Sequence, residues 1–289
     1  MQILETLEIG GFELSLQPMT VADIPRLHEL SVSVSWPHRA EDWAMLLDVG
    51  RGWVARDPIG RVLGSAMWFP FGPQVASIGM VITSPRLQEN GAGRWLMRHA
   101  LAETQGRIRM LNATKEAFRL YVSLGFKTLA TVHQQNGILT AVPDHTGHAR
   151  PMCPEDEVEI RTLDLAAMGV PRSEILSAVL AVAEAGTVIE RDGRLQGFAL
   201  IRRFGRGRVI GPIVALSDAD AMALCGPLMT PHRGRFLRVD TREPEGEFRR
   251  LLSASGIVEH DTVQRMSLET LPEPAGPQRT YGLVSQALT

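Results

Sequence analysis

The sequence predicts an α/β fold with a mixed sheet, built twice over in one chain of 289 residues. Three observations lead there. Short runs of apolar and β-branched residues alternate with segments of helical period. Two landmarks of the first half recur in the second in the same order. Between the halves, Pro143-Asp-His-Thr-Gly-His-Ala-Arg-Pro-Met-Cys-Pro154 has no apolar periodicity and reads as a linker. The expected division is 1–142, a connection over 143–157, and 158–289.

In the first half, Leu14 and Leu16 alternate with polar neighbours, which predicts a strand over 14–18. Helical period follows over 21–31 and 40–47. A strand over 52–56 enters the turn Asp57-Pro-Ile-Gly60, and strands over 62–69 and 75–83 complete two hairpins. After the stretch Leu87-Gln-Glu-Asn-Gly-Ala-Gly93 come a helix over 94–104, a strand over 108–111, a helix over 115–123, and strands over 127–133 and 137–141. Hairpins together with helical crossovers require a sheet with both parallel and antiparallel neighbours.

The second half repeats this plan. Gly52-Trp-Val-Ala-Arg-Asp-Pro-Ile-Gly-Arg-Val-Leu-Gly64 aligns with Gly186-Thr-Val-Ile-Glu-Arg-Asp-Gly-Arg-Leu-Gln-Gly197, and Leu120-Tyr-Val-Ser-Leu-Gly-Phe126 with Leu251-Leu-Ser-Ala-Ser-Gly-Ile257. The repeat acts as an internal control. Where the first half has Gln88-Glu-Asn-Gly-Ala-Gly93, the second has roughly 217–225, with aspartates and no glycine pair; where the first has Tyr121, the second has Leu252. Features lost while the scaffold is kept are the ones expected to carry chemistry. The tail over 271–289 reads as a strand packing back, and no role follows from its residues.

Composition excludes several function classes. A net charge of −2 and the lack of a local basic patch argue against a nucleic-acid or anionic-membrane partner. No apolar run approaches the ~20 residues needed to cross a bilayer. Cys153 and Cys225 are too few for a disulfide framework, and the N-terminus lacks a signal pattern, so a reduced, cytoplasmic setting is expected. His145 and His148 have no companion ligand nearby and read as solvated; no metal is expected.

A strand, the loop and then a helix stand in series over 76–104. The unpaired N–H groups of a helix's first turn and its dipole favour an anion there. Gly91 and Gly93 lack Cβ, so an anion can approach the backbone closely. The loop has neither the Lys-Ser/Thr of a P-loop nor the length of a dinucleotide fingerprint. The pattern Gln88-x-x-Gly91-x-Gly93 after a strand, with Asn112, Tyr121 and Leu124-Gly-Phe126 downstream, resembles the GNAT family of acetyl-CoA-dependent acyltransferases. The resemblance is strong over residues 12–141 and covers the whole chain if the second half is a degenerate copy, as in the tandem subgroup.

The resemblance implies two GNAT-like domains, each a mixed, mostly antiparallel twisted sheet flanked by helices. It implies that the backbone of Val81, Ile82 and Thr83 pairs with the pantetheine arm of acetyl-CoA. Gln88, Glu89, Asn90, Gly91, Ala92, Gly93 and Arg94 would hold the pyrophosphate, Asn112 would hydrogen-bond the cofactor, and Phe118 would pack on it. Tyr121 would be the general acid beside the thioester sulfur. The Glu89 carboxylate is a departure from the pattern; its side chain is expected to face solvent. No general base stands out: His38, Glu41, Asp42 and His133 are candidates, as is a chain of water. Trp36, Trp43, Trp68 and Phe71 would line an acceptor pocket. The implied activity is N-acetylation of a small-molecule amine by direct transfer in a ternary complex, in a monomer or homodimer. A non-catalytic acyl-CoA sensor and a protein N-acetyltransferase fit the same residues.

Overall fold

The computed structural model describes residues 5–9, 11–88, 90–142 and 148–289. The first half runs β1 (Glu5–Ile9), β2 (Phe12–Pro18), α1 (Ile24–Ser33), α2 (Ala40–Val49), β3 (Arg51–Arg56), β4 (Val62–Phe71), β5 (Val75–Thr83), α3 (Ala92–Glu103), β6 (Ile108–Ala113), α4 (Lys115–Ser123) and β7 (Lys127–Ile138). The second runs β8 (Ala149–Pro151), α5 (Glu157–Met168), α6 (Ser173–Val182), β9 (Ala183–Arg191), β10 (Arg194–Phe204), β11 (Gly207–Ala215), α7 (Asp218–Met229), β12 (Phe236–Thr241), α8 (Glu247–Ala254), β13 (Val258–Ser267) and β14 (Arg279–Gly282). The series from β3 to β7 thus reappears, element for element, from β9 to β13.

The duplication extends to single hydrogen bonds. Gly125 ends α4 in the left-handed region at φ 94°, with Phe126 N–H donating to the Tyr121 carbonyl; Gly256 ends α8 at φ 88°, with Ile257 N–H donating to the Leu252 carbonyl. Both are helix stops that glycine enters without steric cost. The stretch read as a linker contributes β8, which pairs with β9.

All the strands form one sheet in the order β1-β2-β3-β4-β5-β6-β13-β7-β12-β11-β10-β9-β8, with β14 set beside β11. Among the described residues, only β5 with β6 and β11 with β12 are parallel. The centre of this order is an exchange. The last strand of the second copy, β13, lies between β6 and β7 of the first, while β7 pairs with β12 of the second. The two halves therefore share one continuous hydrogen-bonded ladder, and one apolar cluster contains Leu27, Trp43 and Phe69 together with Ile160, Phe198 and Leu288.

The exchange accounts for one departure from the sequence reading. Instead of strands over 127–133 and 137–141, a single strand β7 covers Lys127–Ile138. The polar Gln134-Gln-Asn136 suggests a break, yet each of these residues is paired on both sides: Gln134 with Asp240 and Asp261, Asn136 with Arg238 and Val258. Central position in a sheet outweighs local polarity. Gly137 is required here, because a Cβ on it would lie 2.1 Å from the Gly256 carbonyl oxygen.

Two consequences can be measured. Gly137→Ala is expected to lower stability by about 2 kcal/mol or more, since the clash is with backbone. All five tryptophans lie in the first half, so their fluorescence reports that half alone, whereas far-ultraviolet circular dichroism reports both. The shared ladder requires the two urea transitions to coincide in the wild type and to shift together in Gly137→Ala; separate transitions would contradict it.

Candidate active site

Strands β5 and β6 are hydrogen-bonded in parallel only from Val75–Ile108 to Ile78–Leu111, and then part. Past Ile78, β5 keeps its pairing with β4 on one side, with Thr83 opposite Gly64 and Ile82 opposite Ser65. On the other side, no strand among the described residues pairs with 79–83. An extra residue in β5 opposite Ser65–Met67 makes a bulge at the point of divergence, where Met80 takes φ 51°. A positive φ is uncommon for such a side chain and is found most often at functional positions. The free edge is a row of backbone donors and acceptors of the kind that an extended ligand pairs with.

That edge leads to the glycine loop. Pro85–Leu87 form a single 3-10 turn, and Gly91, at φ 90°, caps α3. The first intrahelical bond runs from Trp95 N–H to the Gly91 carbonyl, which leaves the N–H groups of Ala92, Gly93 and Arg94 without helical acceptors. Gln88, Asn90, Gly91 and Arg94 are exposed. Arg94 Nη2 donates to Ser123 Oγ at 2.6 Å and ties the first turn of α3 to the last turn of α4. The expectation for Glu89 falls outside the described residues. On α4, Phe118 and Tyr121 belong to the same apolar cluster as Val81 and Ala92. Tyr121 is 5% exposed, and burial pushes its phenol well above the ordinary value, so it is protonated at neutral pH. Asn112 Nδ2 donates to the Gln286 carbonyl at 2.6 Å, while its Oδ1 is buried without a partner among the described residues.

The second copy has the same divergence and fills it. β11 and β12 pair only at Arg208–Leu237 and Val209–Arg238. The positions matching Val81, Ile82 and Thr83 are Ile213, Val214 and Ala215, and β14 of the same chain pairs with all three. The segment from β11 to α7 is two residues long, Leu216 and Ser217, where the first half has eight, so the loop over 84–89 has no counterpart. This corrects the approximate alignment of 88–93 with 217–225. In the first turn of α7, Ser217 Oγ accepts the Asp220 N–H at 3.2 Å, and the Asp218 carboxylate accepts from the Tyr281 hydroxyl of β14 at 2.9 Å.

Beside the β5 bulge lies a cavity of about 250 Å³. The first half contributes Trp36, His38, Gly79, Met80, Thr114, Gln134 and Asn136 to its wall, and the second contributes Phe204, Arg206, Arg238, His260, Asp261 and residues 285–287. No sequence motif marks the second-half residues. Of the aromatic lining expected from sequence, only Trp36 is present. Trp43 and Phe71 are fully buried in the shared core, and Trp68, 5% exposed, lies in the first-half core. β4 is covered on both faces, so its large side chains serve packing rather than the cavity.

The candidate bases separate clearly. His133 is directed away from the cavity, because Gln134 and Asn136 face it and strand side chains alternate; its Nδ1 is 2.7 Å from Glu259. The Asp42 carboxylate is committed to Arg39 and to the Gly205 N–H at 3.0 Å, which fastens α2 to the β10–β11 turn. Burial raises its pKa, but these hydrogen bonds more than offset that and hold it below the usual value. Glu41 is exposed and lies outside the cavity wall. His38 does line the cavity, with Phe204 edge-on at 5.3 Å. Burial lowers its pKa to about 4, Asp42 opposes this, and Arg238 and Arg202 reinforce it, so the ring is neutral at pH 7.

Two family descriptions of GNAT acetyltransferase domains match the chain, over residues 48–128 and 160–282. A structure from Pyrococcus horikoshii, described as that of a candidate acetyltransferase, is similar with a TM-score of 0.78 over 96% of both chains at 17% identity. A tandem GNAT protein from the clavulanic acid biosynthesis pathway is similar with a TM-score of 0.62 over 90% of this chain and 99% of that one, at 16% identity. A GCN5-related N-acetyltransferase from Sphaerobacter thermophilus gives 0.62 over 88% and 95%, at 18% identity. No curated relative matches the sequence significantly. Likeness at these identities is a likeness of fold, and the two domain matches fall one on each copy of the repeat. The chain belongs to the GNAT acetyltransferase superfamily, in its tandem form.

Proposed function

We propose that the protein transfers an acetyl group from acetyl-CoA to the amine of a small molecule, by direct attack in a ternary complex. The observation that carries this reading is the free β5 edge over 79–83, which joins the open α3 N-terminus at one end and the two-domain cavity at the other. Catalysis is assigned to the domain over 1–142; the domain over 158–289, reached through 143–157, supplies half of the cavity wall.

In this reading the backbone of Val81, Ile82 and Thr83 pairs with the pantetheine arm. The N–H groups from Gly91 to Arg94, with Gln88 and Asn90 beside them, hold the pyrophosphate. Asn112 Oδ1 accepts a hydrogen bond from the arm, and Phe118 packs on it. Acetyl-CoA supplies an acyl group activated as a thioester. The amine nitrogen bonds to the acyl carbon while the carbon–sulfur bond breaks, and Tyr121, protonated and buried, gives its proton to the departing sulfur. A backbone N–H at the bulge would stabilise the charge that develops on the carbonyl oxygen. His38, with a pKa near 4, is too weak a base to take a proton from an ammonium group, and the polar wall of Gln134, Asn136 and Asp261 offers a route to water instead. A cavity of about 250 Å³ walled by both domains favours a small acceptor over a protein surface.

Tyr121→Phe is expected to lower kcat about 100-fold or more while the Kd for CoA changes less than threefold, measured by thiol release from acetyl-CoA over an amine panel and by calorimetry. Wild-type protein that binds CoA yet turns over no amine would favour the sensor reading. For His38, the unfolded ring takes its proton near pH 6.5 and the folded one near pH 4. The unfolded chain binds the extra proton between these values, so stability falls as pH drops through that window, by about 3 kcal/mol from this residue. Urea titrations at pH 7 and pH 4.5 should show a smaller loss in His38→Gln than in the wild type, and equal losses would contradict the neutral assignment.

A further inference from the structure

A second cavity, of about 390 Å³, lies where β13 leaves the sheet and shares no lining residue with the first. Arg242, just past β12, and Arg265, on β13, both line it, with Lys127 beside them. Arg242 Nη1 is shut off from solvent without a hydrogen-bond partner among the described residues, and so is Arg265 Nε. Among the described residues the Arg265 side chain makes one bond, a long contact from Nη2 to Met110 Sδ at 3.9 Å.

The acids nearby are committed to other arginines. Asp164 is held by Arg172 at 2.7 Å, Glu243 by Arg279 at 3.0 Å, and Glu269 by Arg109. Glu273 is exposed at the rim and bonds to neither Arg242 nor Arg265. Burial, with Arg265 and Arg172 adding to it and Glu243 opposing, pushes the Arg242 guanidinium well below its usual pKa, and burial with Arg172 lowers that of Arg265. Two guanidinium groups that line one cavity with buried donors met by no acceptor among the described residues carry an uncompensated desolvation cost. The cost is offset when a group with several acceptor oxygens sits between the two forks. The cavity volume falls within the range of small-molecule sites.

We propose that this cavity binds the phosphate group of a small molecule, with Arg242 and Arg265 as its two forks and Lys127 as a third positive charge. The site is separate from the acetyl-transfer groove and does not depend on the reading of that groove. Phosphate is favoured over carboxylate because three cationic side chains line the cavity, while its two acids are held elsewhere, Glu269 by Arg109 and Glu273 exposed at the rim. The α3 N-terminus also attracts phosphate, so the two sites are distinguished by titrating inorganic phosphate into the full chain with and without saturating CoA, at constant ionic strength in chloride.

One phosphate per chain is expected to remain bound in the presence of CoA. Its Kd should rise at least tenfold in R242M and in R265M, while the Kd for CoA stays within twofold and the phosphate-free melting temperature does not fall. R242K keeps the charge and loses the fork, and it too should bind phosphate at least tenfold more weakly, which keeps the test open if a methionine variant fails to fold. The proposal is overturned by a wild type without saturable phosphate binding beside CoA, by R242M or R242K binding as tightly as the wild type, or by succinate binding where phosphate does not.

Discussion

Two parallel strands share hydrogen bonds over four residues and then part, and the rest of the molecule is arranged around what becomes of the backbone they leave unpaired. Peptide groups removed from water require partners. In the second half the chain answers this itself, with β14 along Ile213–Ala215. In the first half no strand among the described residues takes that position beside 79–83. The loop, the α3 cap at Gly91 and the bulge at Met80 all border this one edge. The two grooves are one construction with two outcomes: among the described residues the first keeps its strand edge open, and a piece of chain is built into the second.

The segment that fills the second groove also shapes the first site. After β14 it passes Gly211, whose missing Cβ leaves room for the Leu283 carbonyl at 1.9 Å from where that Cβ would be, and crosses to the first half. There Ser77 Oγ donates to the Ala287 carbonyl at 2.8 Å, Ala287 lies against Gly79, and Leu288 is buried in the shared core. The second copy thus reaches the first-half site directly. It provides β13, the crossing segment and half of a cavity wall, and Asp42 fastens it to the loop carrying His38 through Gly205.

Much of this was legible in the sequence because the signals were local. Period, glycine stops and turn chemistry located most elements; the helix over Lys115–Ser123 and the strand over Val75–Thr83 were read with their observed bounds. The repeat was legible because two glycine-marked landmarks survived in both copies. What was hidden depended on contacts distant along the chain. β1 has mixed polarity and was not recognised, and Gln134-Gln-Asn136 resembles a loop until strands lie on both sides of it. Trp43, Trp68 and Phe71 were assigned to a pocket because aromatic residues suit one equally well, and only packing shows that they fill cores. The second-half wall residues Phe204, Arg206, Arg238 and His260 carry no spacing that could have marked them.

Amide hydrogen exchange with and without acetyl-CoA tests most directly whether the two grooves differ as described. Saturating acetyl-CoA is expected to slow exchange over 79–83 and 91–94 and to leave 213–215 unchanged, since β14 already protects that edge without ligand. Protection that appears at 213–215, or none at 79–83 under saturating conditions, would contradict the assignment of the first groove as the cofactor site.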